Sequence, residues 1–200
     1  MTKEKKVDST IIKLKNVRLS FPNLFKATAF EAGKEPRFQA AFLLDPSDKD
    51  HAKAIKAIKK EAHRLMEAKW GEIPEADEYK RCYGLAKNHP KKRKYEGYEN
   101  MFYIDTANTI APTCIDRRRN EVVEQDGVLY AGCYVNTNIT LWVYDHPIGG
   151  KGIAANLRIV QFYQDGDAFG TAKASADEMD EVDLDDEDDA ADDWDDEDDL

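Results

Sequence analysis

The chain has 200 residues, of which 40 are acidic and 29 basic, and its net charge at neutral pH is -11. It contains no run of about 18 apolar residues, which argues against a membrane-spanning helix, and its charged N-terminus lacks the apolar stretch of a signal peptide. The three cysteines are widely spaced, which speaks against a disulfide framework. We therefore expect a cytoplasmic protein with one domain large enough to bury a core.

The net charge conceals two parts of opposite sign. Residues 177–200 hold 17 of the acidic and none of the basic residues, so residues 1–176 carry 23 acidic and 29 basic residues, a net of +6. The acidic arm has too little apolar surface to offset the entropy cost of ordering, so we predict that it is disordered. An acidic arm on a basic body indicates a nucleic-acid partner. The predicted organisation is a flexible N-terminus (1–9), a folded domain (10–170) and a disordered acidic tail (171–200).

The first half of the domain reads as two strands and one helix. Strands are predicted at residues 10–21, with a bulge near Lys15 and Asn16, and at 36–44, with a loop between them. A helix is predicted from Ser47 to Trp70, with a cap formed by Ser47 and Asp50. Its predicted buried stripe follows helical spacing and consists of Ile55, Ile58, Ala62, Leu65 and Met66.

The second half continues with an irregular segment and three further strands. The segment 75–100 has no sustained period, and strands are predicted at 101–107, 128–144 and 153–164, the last two joined by a Gly-rich turn. Short strands with a helix after the second one predict a mainly β (α+β) fold. We expect an OB-fold-like, five-stranded, partly open barrel, with another α+β arrangement as the alternative.

The strand predicted at 128–144 alternates almost perfectly. Its odd positions are mostly apolar and predict a side that faces the core. Its even positions combine rings, which can stack on bases, with amides, which can hydrogen-bond them. The alternative is that these rings pack under a loop or the helix. The predicted DNA contacts on this face are Tyr130, Tyr134, Asn136, Asn138, Trp142 and Tyr144.

Basic and aromatic residues alternate in the irregular segment. Cations for phosphates and rings for bases are the two components of a single-strand groove, although a solvated charge cluster is an alternative. Pro90 indicates a loop rather than a helix face. Three consecutive arginines in the connection after the strand predicted at 101–107 add further positive charge. The predicted DNA contacts are Lys80, Arg81, Tyr83, Lys87, Lys91, Lys92, Arg93, Lys94, Tyr95, Tyr98, Arg117, Arg118 and Arg119.

The acidic arm contains an isolated tryptophan and ends in a leucine. An apolar anchor among carboxylates suits a basic, partly apolar pocket on another protein, and the charge density of the arm lets it compete with DNA for the groove of its own body. The alternative is that the arm only maintains solubility. The predicted partner-binding residues are Asp192, Asp193, Trp194, Asp195 and Leu200.

Patterns for catalysis and metal binding are weak. The four histidines are scattered, the cysteines lack the paired spacing of zinc ligands, and residues 149–152 lack the Ser or Thr of a phosphate loop. A nuclease pair of Asp105 and Asp116 is a further alternative, but no acidic constellation with a lysine accompanies it. The residues therefore predict a binding protein without enzymatic activity, metal or cofactor.

Three segments resemble the single-stranded DNA-binding proteins of tailed bacteriophages, an OB-fold family with an acidic C-terminal tail. They are Ile11–Phe25 (IIKLKNVRLSFPNLF), Tyr130–Asp145 (YAGCYVNTNITLWVYD) and Gly149–Phe162 (GGKGIAANLRIVQF). The resemblance implies sequence-independent binding and protection of single strands in phage replication, recombination or repair. It also implies a tail that recruits replication or recombination proteins and restrains DNA binding, in the host cytoplasm.

Three matters stay open at this level. Some related tails end in an aromatic residue, whereas this one ends in Leu200 with Trp194 inside, so either residue can be the anchor. The oligomeric state is monomer or dimer. The alternative function is an acidic-tail interaction module, a chaperone for basic proteins or a DNA mimic, that does not bind DNA.

Overall fold

The computed structural model describes residues 8–29 and 33–170. The predicted acidic tail, including its partner-binding residues from Asp192 to Leu200, lies outside the described residues, as does most of the predicted flexible N-terminus. The described part contains eight strands and one α-helix. They are β1 (Ile11–Thr28), β2 (Arg37–Leu44), α1 (Lys49–Trp70), β3 (Lys80–Arg81), β4 (Tyr83–Leu85), β5 (Phe102–Asn108), β6 (Thr113–Ile115), β7 (Tyr134–His146) and β8 (Gly150–Gln164).

Five long strands build the barrel, and three short ones add to it. The strand order is β3-β8-β7-β1-β2-β5-β4, with β6 also paired to β8. Among the long strands, β7 therefore returns to lie beside β1, opposite the consecutive strands β2 and β5, which is a Greek key. With the single helix between β2 and β5, this topology confirms the predicted OB-fold-like barrel.

The gap between β5 and β8 is bridged by the segment 80–85. Lys80 pairs in parallel with Gly152 of β8, and three residues later Tyr83 pairs antiparallel with Ile104 of β5. A side-chain amide of β5 also spans the gap, since Asn108 Nδ2 donates to a β8 carbonyl at 2.9 Å. The closing segment has no periodic pattern because each of its halves pairs with a different strand.

The helix packs its predicted stripe into the barrel core, and all five of its residues are buried. Its cap differs from the prediction. The carboxylate of Asp48 accepts hydrogen bonds from the backbone N–H groups of Asp50 and His51, whereas the Ser47 hydroxyl donates to Asp45. The predicted cap at Ser47 is therefore wrong by one residue, because Ser47 is used in the preceding turn.

Strand β1 departs from the prediction in length. The bulge predicted near Lys15 and Asn16 is confirmed by a register shift between Leu14 and Val17. The strand then continues to Thr28, where a loop had been predicted from residue 22 onward. A second register shift after Ser20 absorbs the FPN sequence and lets pairing with β2 resume.

Strand β7 begins at Tyr134, later than the predicted start at residue 128. Gly132 adopts a positive φ of 107°, and a Cβ there would lie 2.1 Å from the Asp167 carbonyl oxygen, so the chain bends before the strand begins. Beyond this point the predicted parity is confirmed, because Val135, Ile139 and Leu141 are fully buried.

Within the described residues, no helix is both long and apolar enough to span a membrane.

Candidate nucleic-acid interface

The outer face of β2 forms the floor of the candidate site. Ala40, Phe42 and Leu44 belong to the barrel core, so the alternate residues of this strand face outward. Ala41 pairs with Ser20 of β1 on one side and with Asp105 of β5 on the other. Three adjacent strands therefore present one continuous outer surface.

The irregular segment between β4 and β5 covers one end of this surface. Leu43 packs outward against Ala86, Tyr98 and Tyr103 in a second, smaller core. The Tyr98 hydroxyl donates to Ser20 Oγ at 3.2 Å and so ties the segment to β1. The rest of the β2 face stays open as a groove.

We call this opening the central groove, and its volume is about 470 Å³. Two exposed rings form its wall: Phe21 is 54% exposed and Tyr95 37% exposed, and their centroids lie 5.1 Å apart in an edge-to-face arrangement. Exposed rings of this kind can stack on bases. The lining residues are Phe21, Asn23, Gln39, Ala40, Ala41, Lys92, Tyr95, Asp105 and Thr106.

The Phe21 ring is held outward by an unusual backbone conformation. Phe21 has a φ of 46°, in the left-handed region, and it occupies the register shift after Ser20. For a bulky residue this conformation costs about 1–3 kcal/mol, and such strain concentrates at functional sites. Phe21 was not among the predicted contacts, because the predicted strand ended at this residue and no pattern in the sequence marked a register shift there.

A second opening, the C-terminal groove, adjoins the central groove and has a volume of about 380 Å³. The two share Phe21 and Tyr95, and the C-terminal groove adds Lys94 and Phe169. The full lining is Ser20, Phe21, Lys94, Tyr95, Glu96, Tyr98, Ala131, Phe169 and Gly170.

The last described residues are fastened at the C-terminal groove. The backbone N–H of Phe169 donates to the Ala131 carbonyl at 3.0 Å, and that of Gly170 donates to the Glu96 carboxylate at 3.0 Å. The Phe169 ring lies 4.3 Å from the Arg18 guanidinium and rests on Gly97, where a Cβ would clash with it. Gly170, the last described residue, therefore lies at the edge of this groove.

The third opening, the loop groove, lies between the β1–β2 connection and the β7–β8 hairpin and has a volume of about 780 Å³. Trp142 and Tyr144 project into it, with ring centroids 5.4 Å apart. The cross-strand partners of these rings are Ala154 and Gly152, whose small size leaves room for them. The lining residues are Lys34, Arg37, Lys80, Trp142, Tyr144, Asp145, His146, Ile148, Gly149 and Ala154.

The loop groove and the central groove follow one another along β2. Arg37 lines the first and Gln39 lines the second. These side chains are two residues apart on the same side of the strand, a distance of about 6.6 Å. Together with the shared Phe21–Tyr95 pair, this arrangement aligns the three grooves on one face of the barrel.

The lysines at the grooves differ in whether their charge is already paired within the protein. Lys92 Nζ lies 2.6 Å from Asp105 Oδ1 and 4.4 Å from the Tyr103 ring centroid, and its side chain is only 12% exposed. Burial raises the pKa of the Asp105 carboxyl, while the Lys92 charge opposes that rise. Lys92 is therefore engaged within the protein, whereas Lys80 and Lys94 have no ion-pair partner among the described residues.

Five of the predicted contact residues are buried or are engaged by neighbouring residues of the protein. Tyr83 and Tyr98 are buried; Tyr98, although it borders the C-terminal groove, is only 1% exposed. The Tyr130 hydroxyl bonds with the Asp165–Gly166 segment, Tyr134 lies beneath Arg18, and the Asn136 side chain bonds to Asn16 and Gln161. The physical reasons differ. Tyr83 packs in the barrel core and Tyr98 in the second core. The returning segment at Asp165 and Gly166 engages Tyr130 and lies against the Tyr134 ring. We therefore leave these five residues out of the interface.

The other predicted contacts line none of the three grooves. Asn138 is half-buried on β7, and the remaining residues are exposed. They are Arg81, Lys87, Lys91, Arg93, Arg117, Arg118 and Arg119. The arginine turn is organised by Asp116, whose carboxylate accepts hydrogen bonds from the backbone N–H groups of Arg118 and Asn120. In residues 8–29 and 33–170, no cluster of three or more His, Cys, Asp or Glu is arranged to hold a metal ion.

A Greek-key barrel that exposes rings and cations on its outer strand face and loops defines the class of OB-fold-like nucleic-acid-binding proteins. The chain belongs to a family of phage single-stranded DNA-binding proteins: the family model described as "Enterobacter phage Enc34, ssDNA-binding protein" matches residues 10–191. Putative protein p50 of Acyrthosiphon pisum secondary endosymbiont phage 1 is 37% identical over 177 residues, which span 84% of this chain and 91% of that protein. The predicted resemblance to this class of phage protein is confirmed.

Solved structures share the fold. The single-stranded DNA-binding protein from bacteriophage Enc34 in complex with ssDNA has a TM-score of 0.70 at 24% identity, covering 80% of this chain and 89% of that one. A C-terminal truncation of the Enc34 protein gives 0.69 at 23% identity, with 80% and 88% covered. Gp2.5, a single-stranded DNA-binding protein encoded by bacteriophage T7, gives 0.52 at 10% identity, with 86% and 93% covered.

Proposed function

We propose that this chain binds single-stranded DNA along a track formed by the loop, central and C-terminal grooves. The observation that carries the proposal is the exposed Phe21–Tyr95 pair, which stands between two adjoining grooves. Membership in a family of single-stranded DNA-binding proteins supports the same function, and that family is non-enzymatic.

The track offers both kinds of contact that a single strand needs. The ring pairs Phe21–Tyr95 and Trp142–Tyr144 can each stack on bases, at about 1–3 kcal/mol per base, and stacking tolerates any sequence. Lys80 and Lys94 are placed to contact phosphates at the two ends. A duplex fits this arrangement poorly, because its bases are already stacked on one another and their faces are not accessible.

The direct test is fluorescence anisotropy with labelled mixed-sequence oligonucleotides, single-stranded and duplex, over a series of salt concentrations. We expect tighter binding of the single strand, with a log–log salt slope of about -0.7 for each phosphate contacted. Equal affinity for both forms, or an affinity that does not respond to salt, contradicts the proposal. If no oligonucleotide binds, the alternative of an acidic-tail interaction module is favoured instead.

We further propose that the protein protects single strands during phage replication, recombination or repair in the host cytoplasm, and that its tail both recruits partner proteins and competes with DNA. Competition is supported by the fastening of Phe169 and Gly170, because the described chain ends at the C-terminal groove, which Lys94 also lines. Tethering at this point keeps the arm at a high effective concentration near the track. Recruitment is assigned to Trp194 and Leu200 with Asp192, Asp193 and Asp195.

A further inference from the structure

The floor of the central groove carries polar side chains with unused hydrogen-bonding capacity. Asp105 Oδ1 accepts a hydrogen bond from Lys92, but 44% of the Asp105 side chain remains exposed. Its second carboxylate oxygen has no hydrogen-bond partner within the described residues, and neither do the side-chain amides of Asn23 and Gln39. All three side chains line the groove.

Asp105 lies where the edge of a stacked base would arrive. It is paired across the ladder with Ala41, whose small side chain leaves the space above the floor open. The rings of Phe21 and Tyr95 form the wall of the same groove. The groove volume of about 470 Å³ is in the range of small-ligand sites, so one base can enter it.

These three side chains differ in whether they donate or accept hydrogen bonds. The amides of Asn23 and Gln39 both donate and accept hydrogen bonds, so they suit any base. An ionised carboxylate only accepts, and Lys92 is already bonded to it. Cytosine, adenine and guanine carry exocyclic amino groups that donate. Thymine and uracil have one donor on the same edge, N3–H, and it lies between two carbonyl oxygens that repel a carboxylate. The carboxylate is therefore the group that distinguishes bases.

We propose that Asp105 makes the central groove favour bases with an exocyclic amino group over thymine and uracil. This selectivity rests on the proposed binding of single strands and adds a modest preference to an interaction that otherwise ignores sequence. Asp105 accepts a hydrogen bond from the amino group of the base that stacks on the Phe21–Tyr95 pair.

The competing explanation is that Asp105 only anchors Lys92. That role needs one carboxylate oxygen and no opening to the groove, yet the side chain is half exposed there. Burial also raises the pKa of Asp105, which shows that its ionised form has lost water contacts. A donor from a bound base replaces part of that lost hydration, whereas a carbonyl oxygen adds repulsion.

The test compares oligo(dC) with oligo(dU) of equal length, because these pyrimidines differ only on their pairing edge, where cytosine has an amino group and an unprotonated ring nitrogen and uracil has a carbonyl oxygen and an N–H. Anisotropy titrations of the full chain are made at mildly alkaline pH, where cytosine is unprotonated. We expect oligo(dC) to bind about 2–10-fold tighter, which corresponds to one hydrogen bond. In Asp105→Asn the ratio should fall close to one, since an amide also donates.

Asp77→Asn is the matched control, because Asp77 is an exposed carboxylate that lines none of the three grooves. It removes the same charge and should keep the preference for oligo(dC). Equal affinities in the unchanged protein, a preference that persists in Asp105→Asn, or the same loss in Asp77→Asn each overturn the proposal. The first comparison needs no variant, so it decides even if Asp105→Asn folds poorly. Failure to bind either oligonucleotide contradicts the proposed function instead.

Discussion

At Phe21 the backbone is strained and the side chain is exposed, and both facts have the same origin. The register shift after Ser20 turns this residue away from the core, so its ring lies beside Tyr95 at the wall of two grooves. An apolar ring at this position contributes little to the core, since 54% of the residue is exposed. Its position is better explained by contact with a ligand.

We expect Phe21→Ala to weaken single-strand binding about tenfold, because the stacking of one base contributes about 1–3 kcal/mol. The salt slope should stay the same, since no charge is removed. Anisotropy titrations at several salt concentrations measure both quantities. Tyr163→Ala is the control, because Tyr163 is 43% exposed and lines none of the three grooves. Equal losses in the two variants would contradict the stacking role of Phe21.

We expect different roles for two neighbouring lysines: Lys92 is paired with Asp105 and stabilises the fold, whereas Lys94 lies at the C-terminal groove and contacts DNA. Lys92→Met leaves the half-buried Asp105 carboxylate unpaired, so the free energy of unfolding should fall by about 1–2 kcal/mol. Lys94→Met removes an exposed cation of the C-terminal groove, so it should leave the thermal midpoint unchanged and make the salt slope shallower by about 0.7. Thermal melting and salt-dependent titrations of both variants check this. A loss of stability in Lys94→Met together with a shallower salt slope in Lys92→Met would contradict the proposed track.

At the level of elements, α1 supports the barrel, and none of its residues lines the three grooves. Its N-terminal cap therefore affects stability alone. We expect Asp48→Ala to lower the melting temperature by a few degrees while single-strand affinity stays the same. Ser47→Ala is the control and should have a smaller effect, because the Ser47 hydroxyl bonds to Asp45 rather than to the helix.

The Asp48 cap also has a defined pH dependence. Hydrogen bonds from the backbone N–H groups of His51 and Asp50 lower the pKa of Asp48 below its ordinary value of 3.8. Because the folded-state pKa is depressed, the stabilisation is complete above 3.8 and is lost as the pH falls through the lower, folded-state value. Denaturant unfolding should show that the difference in free energy of unfolding between the wild type and Asp48→Ala becomes smaller as the pH falls through this acid range. A difference that widens would contradict this assignment of the cap.

The outer side of β7 shows how far an element can be interpreted from its sequence. Period-two alternation identified the side that faces the core, because successive side chains of a strand point to opposite faces and the apolar ones are buried. The other side was treated as one surface, but the structure divides it. Gly166 lies against the Tyr134 ring and Asn136 bonds to Asn16 and Gln161, while Trp142 and Tyr144 open into the loop groove. No local pattern in β7 reports what a distant segment places on top of it.

At the level of the whole molecule, charge is separated along the chain. Residues 1–176 carry a net charge of +6, while residues 177–200 contain 17 acidic residues. The described chain ends at Gly170 in the C-terminal groove, which is part of the proposed track. This end point supports the proposed competition between arm and DNA, which salt should weaken.

We expect deletion of residues 177–200 to tighten single-strand binding roughly tenfold at low ionic strength and less at high ionic strength. Anisotropy titrations of the full chain and the truncated chain measure the difference. A chain of full length with neutral amides in place of the acidic residues of the arm is the matched control. It should behave like the truncation if charge is the cause. Unchanged or weaker binding after truncation would refute the competition.

The sequence by itself determined the class of fold, the buried stripe of α1, the inward side of β7 and the family, because each depends on local periodicity or on segments continuous in the chain. The tertiary structure decided which of the predicted rings and cations share a site. Phe21 was brought to the track by a register shift, Lys92 was withdrawn by its pairing with Asp105, and Tyr98 was buried against Leu43. These outcomes depend on contacts between residues far apart in the chain, which no local pattern encodes.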